Sequence, residues 1–211
     1  MTPALQLESG LEELGLSLPQ ATRVRLLDYL ALLAKWNRVY NLTAIREMGS
    51  MVAQHLLDSL SVLTVVGESA LTGRRWADVG SGAGLPGIPL AIARPNLGMT
   101  LVETVEKKSA FQRQAAIELR LANVEVVNSR VEDIPGGAFD AVVSRAFAGL
   151  GEFVRLAGHL VAADGRLYAM KGAPDADELN GIPPGWEIVA SHPLRIPGID
   201  ARRRLIVIRK V

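Results

Sequence analysis

Four glycines and two prolines fall within the twelve residues of DVGSGAGLPGIP, Asp78 to Pro89, directly after the apolar-flanked RRWA. Gly80, Gly82 and Gly84 are spaced two apart, and glycine allows both a sharp turn and the close approach of a ligand to the backbone. Pro86 stands where a helix is expected to begin, a position whose N–H is dispensable. A strand-to-helix loop of this kind presents free N–H groups, which suits a nucleotide-like cofactor. Glu103 closes the segment LVE about twenty residues beyond the glycines, the separation expected of a carboxylate that accepts hydrogen bonds from both hydroxyls of a ribose.

Two cofactor classes satisfy this loop and acid. Gly82, Gly84 and Gly87 match G-x-G-x-x-G, so a nicotinamide or flavin oxidoreductase is one reading. The other starts from Asp78, two residues before Gly80, and from the proline inside LPGIP. An acid at that strand end repels a pyrophosphate but can hold an amino-acid ammonium group, as in the methionine part of S-adenosylmethionine. The chemistry leans toward a methyl donor. A cofactor-sensing binding protein without catalysis remains a third reading of the same residues.

The elements that must position these residues follow from periodicity. Residues 4 to about 66 read as helices only. A weak first helix at LESGLEELG precedes a strong one at PQATRVRLLDYLALLAKWN, with an apolar stripe at Val24, Leu27, Leu30, Ala31 and Ala34. A third helix, SMVAQHLLDSLSVLTVV, takes Ser50 as its N-cap. From Arg74 apolar runs alternate with helical patterns, the signature of βαβ units around a parallel sheet. The expected strands are RWADV, MTLVE, VEVVN, FDAVVS, GRLYAMKG, WEIVASHPL and RRLIVIRKV. The connector RIPGIDAR is too short for a crossover helix, so the last two strands should pair antiparallel. GAPDADELNGIPPG reads as a flexible insert.

Composition narrows the classes. The 211 residues, 49% apolar and 21% charged with net charge +1, describe an ordinary globular chain. The balanced total leaves a local basic surface open. The chain has no cysteine, which excludes disulfides, cysteine-rich zinc sites and a thiolate nucleophile and fits a reducing compartment. Neither a basic start with an apolar run nor eighteen uninterrupted apolar residues occurs, so the expected location is cytoplasmic, without a membrane span. No exposed coiled-coil pattern or long unpaired strand argues for a dimer, and a monomer is expected.

DVGSGAGLPGIPLAI, with SRVED, SRAFAGL, KWNRVYNLTAI and HLLDSL, resembles the bacterial RsmG (GidB) family of small-subunit ribosomal RNA guanine-N7 methyltransferases. The likeness runs over most of the chain. It implies an α/β, class I methyltransferase fold: a Rossmann-like, mostly parallel seven-stranded sheet with antiparallel last strands. A helical extension, residues 1–70, would precede a methyltransferase domain, residues 71–211. It also implies S-adenosylmethionine as cofactor and 16S ribosomal RNA as substrate. By resemblance, cofactor contacts fall on Gly80 and Leu85, on Val131 and Glu132, and on Arg145, with Glu103 as ribose ligand. Gly82 belongs to the same glycine loop. Asp78 joins them on chemical grounds as much as on resemblance.

Methyl transfer from a sulfonium is an in-line displacement, so the protein mainly aligns donor and acceptor. Cytosine carbon methylation needs a cysteine, which is absent. Exocyclic amine methylation commonly uses an Asn/Asp-Pro-Pro-aromatic motif after strand four, where this chain reads SRAF. Guanine N7 carries a free lone pair, so no general base and no catalytic residue is required. His55, His159 and His192 are accordingly read as packing, capping or surface residues, and His55 with Asp58 as a link between the extension and the sheet. Lys171 at the end of strand five and Arg203 in the run Arg202 to Arg204 are the expected substrate contacts, with Arg130, Arg195, Asn41 and Thr43 as further candidates. No metal site is expected. A guanine in folded RNA is reachable only where its N7 edge is accessible. Small net charge and few aromatics point to a small-subunit ribonucleoprotein surface as partner.

Overall fold

The computed structural model of the chain describes residues 1–211 except Ala146, Ala148, Ala173 and Asp175. SRAFAGL and GAPDADELNGIPPG are therefore described only in part, since two residues of each lie outside the described residues.

The N-terminal third is helical. Helix α1 (Pro3–Glu13) starts with Thr2 as N-cap, and α2 (Gln20–Tyr40) ends at Asn41 in the left-handed region, with φ of 50°. Next comes one unbroken helical run: α3 (Met48–Met51), a π-helical segment (Val52–Leu57), α4 (Asp58–Leu60) and a 3-10 turn (Ser61–Thr64). Its N-cap is Glu47 rather than Ser50. The Glu47 carboxylate accepts from the amides of Gly49 and Ser50, and a charged acceptor serving two donors displaces a single hydroxyl.

The buried face of α2 is also displaced from the expected stripe. Leu26, Tyr29, Leu30, Leu33 and Asn37 are buried, whereas Val24 is 50% exposed and Ala31 faces outward. Both sets have helical spacing. The observed one carries the larger side chains to the core and includes a tyrosine whose hydroxyl finds an acceptor there.

Seven strands form one sheet: β1 (Arg75–Val79), β2 (Gly98–Val102), β3 (Val124–Val127), β4 (Phe139–Ser144), β5 (Val161–Lys171), β6 (Trp186–Leu194) and β7 (Arg203–Lys210). Their spatial order is β3-β2-β1-β4-β5-β7-β6. The first five pair in parallel, and β7 runs antiparallel to both β5 and β6, as the short connector requires. The strands alternate their side chains between two cores. Trp76, Met99, Leu101, Val143 and Leu205 meet the N-terminal helices, α5 (Gly87–Ala93) and α6 (Glu106–Glu118). Ala77, Val79, Val142, Leu167 and Ile206 meet α7 (Leu150–Ala157).

Two boundaries differ from expectation. Helix α7 ends at Ala157, and after a 3-10 turn β5 begins at Val161, four residues before the expected GRLYAMKG. The stretch read as a flexible insert contains a short helix, α8 (Ala176–Asn180). In this order the chain reverses its direction of winding between β1 and β4, the place where open α/β sheets bind ligands beyond the carboxyl ends of their strands.

The register of α2 is testable by substitution. Leu33→Ala should destabilise the protein by about 2–5 kcal/mol, while Val24→Ala should stay within about 0.5 kcal/mol of the parent. Urea unfolding reads both, and equal losses would restore the stripe centred on Val24.

Candidate functional site: a glycine loop over two buried carboxylates

The start of the loop after β1 is held by main-chain hydrogen bonds to β2. The amides of Gly80 and Ser81 donate to the Val102 carbonyl at the end of β2, at 3.0 and 3.2 Å. Gly80, Gly82 and Gly84 have φ of 68, 58 and 82°, the left-handed region that side chains disfavour. A Cβ at Gly82 would have the Gly80 carbonyl oxygen as its nearest neighbour, at 3.9 Å, so the loop leaves open space where a ligand would lie. Leu85 has its side chain in the core, so any ligand contact there is through its main chain.

Beneath the loop Asp78 is fully buried. Its Oδ2 accepts from the Gly87 amide at 2.8 Å, at the start of α5, while Oδ1 has no hydrogen-bond partner. A side chain at position 87 would meet that same Oδ2 at 2.8 Å, so only glycine admits the bond. Burial pushes the Asp78 carboxyl up to about 7, against the lowering influence of the Gly87 amide and the Arg145 charge. Glu103, just past β2, is also buried. Its Oε2 accepts from the Gly82 amide at 2.8 Å and its Oε1 from the Val105 amide at 2.9 Å. Each oxygen retains a further lone pair for a hydroxyl donor.

Two residues that sequence reasoning passed over complete the cradle. The Tyr29 hydroxyl, from α2, donates to the Ala83 carbonyl at 2.7 Å, and burial raises its pKa. Gln112 of α6 donates through Nε2 to Ser81 Oγ and to the Gly82 carbonyl, both at 2.8 Å. The available signal was a glutamine on the apolar face of a helix, where an unpaired amide would be costly. Val131 is buried beside Val79 and Val102 in the second core, and Glu132 is exposed on the short 3-10 turn Val131–Asp133.

Arg145 turns toward the helical extension. Its Nη1 donates to Asp58 Oδ2 at 2.6 Å and to the Gln54 carbonyl at 3.0 Å. Arg203 Nε lies 3.6 Å from Asp58 Oδ1, so one carboxylate faces two arginines. Asp58 and His55 thus have different partners: His55 Nε2 pairs with Thr43 Oγ1 at 3.0 Å. Burial, reinforced by the Arg145 charge, lowers His55 to about 4, which leaves it neutral at neutral pH. Thr43 and Asn41 do local work, since Asn41 caps α2 and accepts from Arg46. Lys171 is paired with Glu178 at 2.6 Å and donates to the Phe147 carbonyl. Arg204 donates to Ser191 Oγ and to the Ser191 carbonyl, both at 2.7 Å.

Asp58, Arg145, Lys171, Arg203 and Arg204 line a cavity of about 230 Å³ together with Gln54, Ile45, Met170 and Leu194. A wider hollow of about 1120 Å³ runs along the β6–β7 connection and takes in Arg195 and Arg202. Arg130 is exposed beside Val131 and lines neither. No group of three or more metal-ligating acidic or histidine side chains occurs among the described residues.

A profile of GidB, described as rRNA small subunit methyltransferase G, matches residues 23–207. The chain belongs to this family. A relative from Azoarcus sp. named Ribosomal RNA small subunit methyltransferase G is 53% identical over 212 residues, covering 100% of this chain and 98% of the relative. One of the same name from Nitrosospira multiformis is 50% identical over 218 residues, covering 100% and 99%. Among solved structures, a SAM dependent methyltransferase from Aquifex aeolicus matches in fold with a TM-score of 0.57 at 16% identity, over 75% of this chain and 92% of that one. The chain therefore has the class I methyltransferase fold, with a mixed, mostly parallel seven-stranded sheet.

The acceptors around the loop fit S-adenosylmethionine better than a dinucleotide. Two carboxylates and an unpartnered buried acceptor atom suit an ammonium group and ribose hydroxyls and would repel a pyrophosphate.

Asp78 makes ligand-free stability pH-dependent. Its pKa is raised by folding, so the stability linked to its protonated form is complete below about pH 4 and is lost as pH rises through about 7. Asp78→Asn keeps an acceptor for Gly87 and removes the titration. The Tm of the variant relative to the parent should rise from pH 5 to pH 8 and then level; a pH-independent difference would contradict burial of the charge.

Proposed function

We propose that the chain transfers a methyl group from S-adenosylmethionine to N7 of a guanine in 16S ribosomal RNA, presented on the surface of an assembling or complete small subunit. The observation that carries the reading is the 2.8 Å hydrogen bond from the Gly82 amide to Glu103, which joins the glycine loop to the acid at the end of the neighbouring strand. The family match over residues 23–207 names the substrate class.

The cofactor, when bound, supplies an electrophilic methyl group on a sulfonium sulfur. The residues of this chain hold and orient. Gly80, Gly82 and the main chain of Leu85 line the surface on which it lies, and Glu103 receives the ribose hydroxyls. Asp78 shapes the loop, and its unpartnered oxygen would favour the ammonium group of the cofactor. Val131 and Glu132 flank the base, the first by packing and the second from the exposed turn. Arg145 stands between cofactor and substrate sides, and Lys171 and Arg203 face the RNA. Guanine N7 has no proton to lose, so the chain needs no general base. Alignment of the two reactants, worth up to roughly 7–11 kcal/mol, is its main contribution. The neutral His55 in its buried pair with Thr43 fits that division of labour.

The same reading treats residues 1–70 as a helical extension and residues 71–211 as the methyltransferase domain, which together build one site. It places a monomer in the cytoplasm. Among the described residues no helix is long and apolar enough to cross a membrane.

The test is transfer of labelled methyl from S-adenosylmethionine to small subunits from a strain lacking the enzyme, followed by mapping of the modified base. A single guanine with a methyl on N7 is expected, and a short naked hairpin of the same sequence should react at least about tenfold more slowly. Efficient methylation of the hairpin would remove the ribonucleoprotein from the proposal. Product on an exocyclic amine or on carbon would remove N7.

A further inference from the structure

Resting on the N7 reading, we infer that Asp58 is the guanine-specificity residue, reading the base from its Watson–Crick edge inside the 230 Å³ cavity. The starting point is what methylation at N7 forbids. Arginine ordinarily recognises guanine by donating to O6 and N7 together, and a donor on N7 occupies the lone pair that must attack. The base has to be recognised from its opposite edge, where N1–H and the 2-amino group are donors. A carboxylate is the matching acceptor.

Asp58 is the one acidic residue lining the cavity among the described residues. It is 4% exposed, yet its Oδ1 makes no hydrogen bond. Arg203 Nε lies 3.6 Å from that oxygen, in an ion pair without a hydrogen bond. Oδ2 is fixed by Arg145 at 2.6 Å, which sets the plane of the carboxylate. A buried acceptor that is oriented and held only by a long ion pair can take a hydrogen-bond donor. Ile45, Met170 and Leu194 supply apolar walls for the faces of a base. Arg203 is 42% exposed and so can turn out to an RNA phosphate while the guanine donors take its place at Oδ1. The carboxylate is then compensated both before and after the base enters, which avoids the cost of an unpaired buried charge. Accepting from N1–H also pushes electron density toward the imidazole edge and strengthens N7 as a nucleophile.

The test compares small subunits reconstituted with guanosine or with inosine at the methylated position. Inosine keeps N7 and N1–H and lacks only the 2-amino donor. The parent chain should lose about 10- to 100-fold in kcat/KM on inosine, the range for one hydrogen bond to a charged group. Asp58→Asn should be slow on both, with a guanosine-to-inosine ratio near one, while S-adenosylhomocysteine still binds by calorimetry. A purely structural Asp58 would lower both rates and leave the ratio as in the parent, which overturns the proposal. Should Asp58→Asn lose its fold by circular dichroism, Asp58→Ser takes its place in the same comparison. Equal parent rates on guanosine and inosine overturn this proposal alone, whereas absence of any N7 product on guanosine overturns the N7 reading with it.

Discussion

The hydrogen bond from the Gly87 amide to the buried carboxylate of Asp78 sets the position of everything above it. A loop of glycines has no side chains with which to hold a shape, so its geometry has to be imposed from below. Asp78 does this from the centre of the sheet, at the place where α5 begins and where free amides would otherwise be unsatisfied. The cost is a carboxyl group kept out of water with one oxygen unpartnered. Such an arrangement opposes stability in the ligand-free protein, and a cationic group above the loop would relieve it. Stability and ligand affinity therefore draw on the same atom, as is common where a site is organised before its ligand arrives.

The helical extension enters the site at two points. Tyr29 fixes the Ala83 carbonyl from within α2, and Asp58 meets Arg145 and Arg203 from the end of the π-helical segment. π-helical turns are rare and concentrate at functional sites because the extra residue re-aims the side chains that follow. Here the segment runs from Val52 to Leu57, and Asp58 is the first residue beyond it. The extension and the sheet share one apolar core, from Leu7 to Val207, so a displacement of the helices would be felt at the glycine loop.

The sheet was legible because its central strands β1 and β4 are buried on both faces and so read as short apolar runs, and because the connector RIPGIDAR cannot hold a helix. Glu103 was legible because its distance from the glycines follows from the length of one helix and one strand. The face of α2 was not, since leucines lie around most of that helix and only the tertiary partner selects Leu26, Tyr29 and Leu33 over Val24 and Ala31. Tyr29, Gln112 and the pairing of Asp58 were hidden for a related reason. Each acts through a contact between elements far apart in the chain, and no local spacing encodes it. Arg145 was recognised as an arginine at a ligand-binding edge, and its turn toward Asp58 became visible only with the extension in place.

The net charge of +1 hides a local concentration of cations at the cavity, where Arg145, Lys171, Arg203 and Arg204 meet a single acid among the described residues, Asp58. Arg145 is paired with Asp58, Lys171 with Glu178, and Arg204 is held by Ser191. Arg145 and Arg203 share the one Asp58 charge and Ser191 is neutral, so the cluster keeps a net positive charge, but its members do not swing freely in solvent. They are instead held in place, with less side-chain freedom to lose when a phosphate or a base meets them. A surface built in this way gains its selectivity after contact, from the match of shape and paired groups.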